Sequence, residues 1–253
     1  IKEIYSIGGP SAISAVTYGT KKIKPVNKVI GPGNQFVSAA KKEVSGDIGI
    51  EAFTAGPSEV LIVADKSSNP EWLASDLLGQ AEHDQLAQCI LISKDKNILE
   101  KTKKEVFEQL KNLPRSSIAK KSLMMNGILI YANSDKKIIE ITNKIGPEHL
   151  ELNVKNYKSF VAKIKNAGSV CLGKYAVMAM TDYGAPGSNH VLPTDSSSKY
   201  SSGLNVSEFM KKISYITLSK KGIDKLGPSV ITLANYEGLQ GHAQSIVKRI
   251  RRK

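Results

Sequence analysis

Val60-Leu61-Ile62-Val63-Ala64, followed by a polar turn over 65–68 and then Asn69-Pro70, is the stretch on which the fold turns. Five consecutive apolar residues, three of them β-branched and none alternating with polar ones, read as a parallel strand covered on both faces. Asn69 supplies an N-cap and Pro70 suits the first helical position, so a helix is expected to follow at once. It is predicted to run to about His83, with Leu73, Leu77, Leu78 and Ala81 on its apolar face. The alternation then recurs. Residues 89–93 read as a strand, 97–110 as a long amphipathic helix, 127–131 as a strand, 135–145 as a helix and 169–172 as a strand. Strand and helix in turn at this spacing argue an α/β fold with a mostly parallel sheet. The serine-rich 193–202 reads as a linker or exposed loop, and 206–253 as a separate helical, basic tail.

Composition narrows the class. With 253 residues, 41% hydrophobic and 23% charged, the chain has ordinary globular proportions, which excludes collagen-like, low-complexity and disordered readings. No stretch approaches 18 consecutive apolar residues, so no membrane span is expected, and no secretory signal is visible. Cys89 and Cys171 sit inside apolar runs, as reduced core cysteines do, which suits a cytoplasmic address. The opening residues, Ile1 onward, read like the middle of an element, so the expectation is the C-terminal part of a longer chain.

Net charge is +13, unevenly spread: between Lys211 and Lys253 ten basic residues face only Asp224 and Glu237. Such a tail raises nucleic-acid binding as a rival reading, for which a steep salt dependence would be the mark. Aromatic residues are few (6%), and neither a stacking motif nor zinc-finger spacing accompanies the charge. A solvated, lysine-rich face is the simpler account, with no nucleic acid as partner.

The four histidines, His83, His149, His190 and His242, all stand in polar, glycine- or acid-containing settings. An isolated histidine is more often structural or solvated than catalytic; four so placed strain that account. In Gln80-Ala81-Glu82-His83 the two polar residues fall one helical turn apart and can converge on one ion. Alone this is weak evidence, since glutamine is an uncommon ligand. In Gly146-Pro147-Glu148-His149 the Gly-Pro pair stops a helix and Glu-His follows in a forced turn, bringing a carboxylate beside an imidazole. The bland alternative is a helix N-terminus in which Glu148 meets the dipole. The segment 181–190, carrying Asp182 and His190, follows a strand, and loops at the C-terminal ends of parallel strands commonly bind ligands. Gly31-Pro32-Gly33-Asn34 is a turn able to bring backbone amides to a phosphate, although it lacks the third glycine of the dinucleotide fingerprint.

Taken together, Val29-Ile30-Gly31-Pro32-Gly33-Asn34, Ala55-Gly56-Pro57-Ser58-Glu59-Val60, Gln80-Ala81-Glu82-His83, Gly146-Pro147-Glu148-His149-Leu150, Asn189-His190-Val191-Leu192-Pro193-Thr194 and Glu237-Gly238-Leu239 with His242 resemble the histidinol dehydrogenase family, in order and spacing, from Ser6 to about Ile246. The resemblance implies an NAD-dependent enzyme oxidising L-histidinol through the aldehyde to L-histidine, the end of histidine biosynthesis. It implies zinc held by Gln80, His83, Asp182 and His242, positioning the substrate, with Glu148 and His149 as the acid–base pair. Ser58, His190 and Glu237 match substrate contacts. Asn34 matches an NAD contact, and Ser11 stands where the family has a glutamine that contacts NAD. One further departure is an extra residue between Asp182 and His190.

The implied architecture is two Rossmann-like domains, aldehyde-dehydrogenase-like, with a helical C-terminal tail. Residues 1–55 would be part of a nucleotide-binding domain, 56–205 the zinc- and substrate-binding domain, and 206–253 a dimerisation tail. An N-terminal part present in the family, with one NAD-contacting tyrosine, is absent from this sequence. In a homodimer the tail would reach the other subunit, carrying His242 and Glu237 to its zinc.

Overall fold

The computed structural model describes residues 1–51, 56–184 and 189–250, and falls into two units, 1–208 and 209–253. In the first, α1 (Gly9–Tyr18), β1 (Lys28–Val29), α2 (Gln35–Glu43) and β2 (Gly49–Ile50) enclose a small core of Ile13, Val44 and Ile48. β1 and β2 pair in parallel. Asn34 caps α2, its side-chain oxygen accepting from the amides of Phe36 and Val37 at 3.1 Å each.

The main sheet is built from β3 (Glu59–Ala64), β4 (Gln88–Ser93), β5 (Gly127–Tyr131), β6 (His149–Asn153) and β7 (Ser169–Leu172). All four pairings are parallel, in the order β5-β4-β3-β6-β7. The α/β, parallel-sheet expectation holds. Asn69 caps α3 (Pro70–Ala81) through the Glu71 amide at 2.9 Å. α4 (Lys96–Leu110), α5 (Ser116–Asn126), α6 (Asp135–Ile145), α7 (Lys158–Val161) and α8 (Met178–Tyr183) complete the unit.

Alternate residues of β3 serve opposite layers. Val60, Ile62 and Ala64 pack with Leu73 and Leu77 of α3 and with Ile98 and Val106 of α4. Leu61 and Val63 pack with Leu150 and Leu152 of β6, Ile138 of α6 and Phe160 of α7. Both parities must therefore be apolar, which is why the strand reads as a continuous apolar run. Cys89 and Cys171 are buried free thiols.

Five readings of the sequence change. α3 stops at Ala81, so His83 lies in the turn beyond it. Glu148-His149 is neither a forced turn nor a helix start: Gly146, left-handed at φ 62, ends α6, and β6 begins at His149. Local signals named the helix stop but not the strand pairing that follows it. Thr181 to Tyr183 form the last turn of α8 rather than a loop, while 185–188 lie outside the described residues, as do 52–55.

The fourth change concerns 193–202. Leu192, Pro193, Thr194, Ser197 and Ser198 are buried. The Ser196 hydroxyl donates to the Ile145 carbonyl at 2.6 Å and that of Ser198 to Gly146 at 2.9 Å, while the Gly56 amide donates to Thr194. Serines that look solvated in sequence here satisfy the carbonyls at the end of α6. Asp195, Lys199, Tyr200 and Ser202 are exposed in the manner expected of a loop.

Close packing has a measurable consequence at Gly168. A Cβ there would lie 2.6 Å from the Glu148 carbonyl oxygen and 3.2 Å from Pro193 Cδ. In the intact protein, Gly168→Ala is expected to lower stability by about 1–3 kcal/mol through overpacking. Denaturant unfolding should show a lower midpoint at unchanged slope.

The second unit is a hairpin of α9 (Lys220–Tyr236) and α10 (Gln240–Ile250), turning at Gly238, which has φ 74. Gly227 lets the helices close up, since a Cβ there would meet Ile250 and Ile246. Ahead of α9, residues 210–219 have no regular structure, so the helical pattern holds only from Lys220. Leu226, Leu233 and Tyr236 are exposed.

Candidate active site

Because α3 and α8 run back against the strands, their C-terminal ends return to the edge where β3 and β6 begin. That edge holds a cavity of about 110 Å³. α3 and the turn after it bring Gln80 and His83, the β3 and β6 starts bring Ser58, Glu148 and His149, and Asp182 comes from the last turn of α8, with His190 beyond it. The site thus lies at the amino edge of the sheet, against the expectation from 181–190 of a site at the carboxyl ends of the strands. At those carboxyl ends there is also a cavity, lined by Asp65, Lys94, Asp135 and Lys155. Lys94 pairs with Asp135 at 2.6 Å, and Asp65 accepts from the Lys155 amide at 2.9 Å.

Glu148 is fixed by a reciprocal exchange between β3 and β6. The Glu59 amide donates to Glu148 Oε2 at 2.9 Å, and the Glu148 amide donates to Glu59 Oε2 at 3.3 Å. Glu59 also accepts from the Asp195 amide at 3.1 Å, tying the 192–198 segment to the site. Burial pushes the Glu148 carboxyl up to about 8, with the Glu59 and Asp182 charges adding to the rise against the Glu59 amide bond. Burial pushes His149 down to about 4, offset in part by Asp182. Near neutral pH one therefore carries its proton and the other is an uncharged imidazole, so their 3.8 Å contact is not an ion pair.

Gln80 is fully buried, yet neither its amide nitrogen nor its carbonyl oxygen has a hydrogen-bond partner. His149 Nδ1 is likewise buried without one. Buried polar groups are normally satisfied, so unpaired ones lining a cavity suit a bound group that completes them. Asp182 lies 3.7 Å from His190, whose ring is largely exposed. Among the described residues no three His, Cys, Asp or Glu side chains are grouped closely enough to hold a metal ion. The side chains of those types on the cavity lining are His83, Glu148, His149, Asp182 and His190, with Gln80 also on the lining.

Ser11 and Asn34 do not line this cavity. Ser11 is exposed in the first turn of α1 and Asn34 at the start of α2. Gly8, Gly9 and Gly31 face open space where a Cβ would be, so backbone near both helix starts is accessible to a ligand. Glu237 and His242 belong to the second unit.

The sequence assigned no role to Glu59, Thr194, Asp76 or Glu151. The alternation His149-Leu150-Glu151-Leu152-Asn153 would have found the last of these, since its period of two marks a strand with one polar face.

The comparisons with known proteins agree in direction. The family model described as histidinol dehydrogenase matches residues 1–250. The chain is 75% identical to histidinol dehydrogenase of Pelagibacter ubique (strain HTCC1062), covering all of this chain and 59% of that protein. It is 44% identical to the enzyme of Zymomonas mobilis subsp. mobilis, covering 99% of this chain and 58% of that one. The crystal structure of histidinol dehydrogenase from Elizabethkingia anophelis superposes with a TM-score of 0.92 at 42% identity, covering 99% of this chain and 57% of the other. The chain spans somewhat under three fifths of the length of these relatives, or just about that for the first. With a cavity on which seven of its expected residues converge and a family model matched along almost its whole length, the chain belongs to the histidinol dehydrogenase family of oxidoreductases.

Proposed function

We propose that the intact protein oxidises L-histidinol through the aldehyde to L-histidine, using two NAD. The observation that carries this reading is the convergence of Ser58, Gln80, His83, Glu148, His149, Asp182 and His190 on one cavity. Gln80, His83 and Asp182 hold zinc, with His242 from the tail of a second subunit as the fourth ligand. The unpaired amide of Gln80 supports this assignment, and mixed nitrogen and oxygen donors suit zinc. When bound, zinc would anchor the substrate's imidazole and amine and favour the ionised form of Glu148, and NAD would supply the hydride acceptor.

His149, neutral and buried, takes the hydroxyl proton as hydride leaves the carbinol carbon. Glu148, once deprotonated, takes a proton from the water that adds to the aldehyde, setting up the second hydride loss. Ser58 and His190, with Glu237 of the neighbouring tail, orient the substrate. Ser11 and Asn34 contact NAD at the starts of α1 and α2.

The strand order β5-β4-β3-β6-β7, running outward from β3 in both directions, supports the Rossmann-like, aldehyde-dehydrogenase-like description of 56–205. The separate two-stranded sheet supports assigning 1–55 to another domain, and the exposed apolar residues of α9 support a homodimer with exchanged tails over 206–253. Buried free thiols support a cytoplasmic address. Among the described residues no helix is long and apolar enough to cross a membrane.

Metal removal tests the central claim. Chelation of the intact protein should abolish histidinol-dependent NAD reduction, and added zinc should restore it. His83→Ala should lose zinc and turnover together; full zinc occupancy with normal turnover in that variant would make the ligand assignment wrong.

A further inference from the structure

Beneath the cavity two carboxyls meet inside the protein. Asp76 lies one turn before Gln80 on α3, and Glu151 lies two residues after His149 on β6, so each shares a face with a cavity residue. Glu151 is 1% exposed, and its Oε1 accepts from the amide of Met178 at 2.7 Å. Met178 opens α8, four residues before Asp182. Of the remaining oxygens, Asp76 Oδ2 and Glu151 Oε2 are buried and receive no donor from any other group. The two carboxyls are within hydrogen-bonding reach of each other. Two bare carboxylates cannot face one another in a core, and a single proton between them satisfies both.

We propose that Asp76 and Glu151 share one proton and act as positioning residues, joining α3, β6 and α8 in the spacing at which Gln80, His149 and Asp182 converge. The proposal rests on the reading of the cavity as the zinc and substrate site. Burial and mutual repulsion support it, pushing Glu151 up to about 8 and burial pushing Asp76 up to about 6. Both shifts run in the same direction, so near neutral pH the pair holds one proton between the two carboxyls. Cys171, opposite Glu151 in the β6–β7 register, is pushed up to about 12 by burial and by these carboxyls, so it stays a neutral thiol and adds no competing charge.

The test uses the intact protein and three readouts: zinc affinity, histidinol affinity and the infrared band of a protonated carboxyl. Asp76→Asn replaces the shared proton with an amide donor. It should keep wild-type zinc and histidinol affinity while losing one carboxylic-acid band that Glu148→Gln leaves in place. Asp76→Leu removes the link altogether. It should fold, judged by a cooperative melt, yet bind zinc and histidinol about 10–100-fold more weakly, as loss of a supporting partner does. Should Asp76→Leu unfold, Asp76→Ser serves instead: its side chain is too short to reach Glu151, and the folded variant should show the same weakening. Wild-type affinities in a folded Asp76→Leu, losses in Asp76→Asn equal to those in Asp76→Leu, or no band assignable to the pair would each overturn the proposal. If the wild type bound neither zinc nor histidinol, the functional reading would be what failed, and the infrared band would still decide whether the proton is shared.

Discussion

His149→Asn in the intact protein is expected to slow histidinol oxidation by about 10²–10⁴-fold, the usual cost of removing a general base. Asparagine keeps a polar head of similar reach in a position that is 5% exposed, so the fold should survive. What it cannot do is accept the hydroxyl proton. Zinc content should stay at the wild-type level, because His149 is not among the proposed ligands, and the loss should fall on kcat rather than on metal binding. Glu148→Gln should show a different pattern. Its Oε1 can still accept from the Glu59 amide, so the exchange between β3 and β6 persists. Oxidation of added aldehyde, which needs an activated water, should suffer most, while the first oxidation is slowed less. Steady-state rates on histidinol and on the aldehyde, with zinc assayed in the same samples, separate the two roles. Equal and small losses in both variants on both substrates would count against them.

Activity restored by combining two dead variants is the second large effect expected. If His242 completes a zinc site on the other subunit, each site draws on two chains. Co-expression of His83→Ala with His242→Ala should then yield hybrid dimers in which one site takes His83 from the second variant's body and His242 from the first variant's tail. The other site carries both lesions and stays inactive, so recovery per hybrid should level off near half of the wild-type dimer. If His242 served its own chain, neither site of a hybrid would be whole and no combination would work. Co-expression with different affinity tags, followed by tandem purification, verifies that the assayed species is the hybrid. An inactive, verified hybrid would sink the shared site while leaving the dehydrogenase reading in place.

The sequence by itself determined the alternating α/β order, because each signal involved is local. Val60 to Ala64 had to be apolar on both parities to lie between two helical layers, and Asn69-Pro70 carries its own capping chemistry. Residue types and their order were equally enough to mark Gln80, His83, Glu148, His149, Asp182 and His190 as candidates. Tertiary structure alone decided which edge of the sheet they share: α3 and α8 run against the strands and deliver Gln80 and Asp182 to the amino edge. It also decided the fate of 193–198, whose serines and threonine look solvated until the ends of α6 and β3 need their hydroxyls. The pairing of Asp76 with Glu151 depends on the β3–β6 register and on the lie of α3 across it, distances set by packing between segments far apart in the chain. Local periodicity encodes which face of an element is buried; which elements meet there depends on how the buried faces fit together.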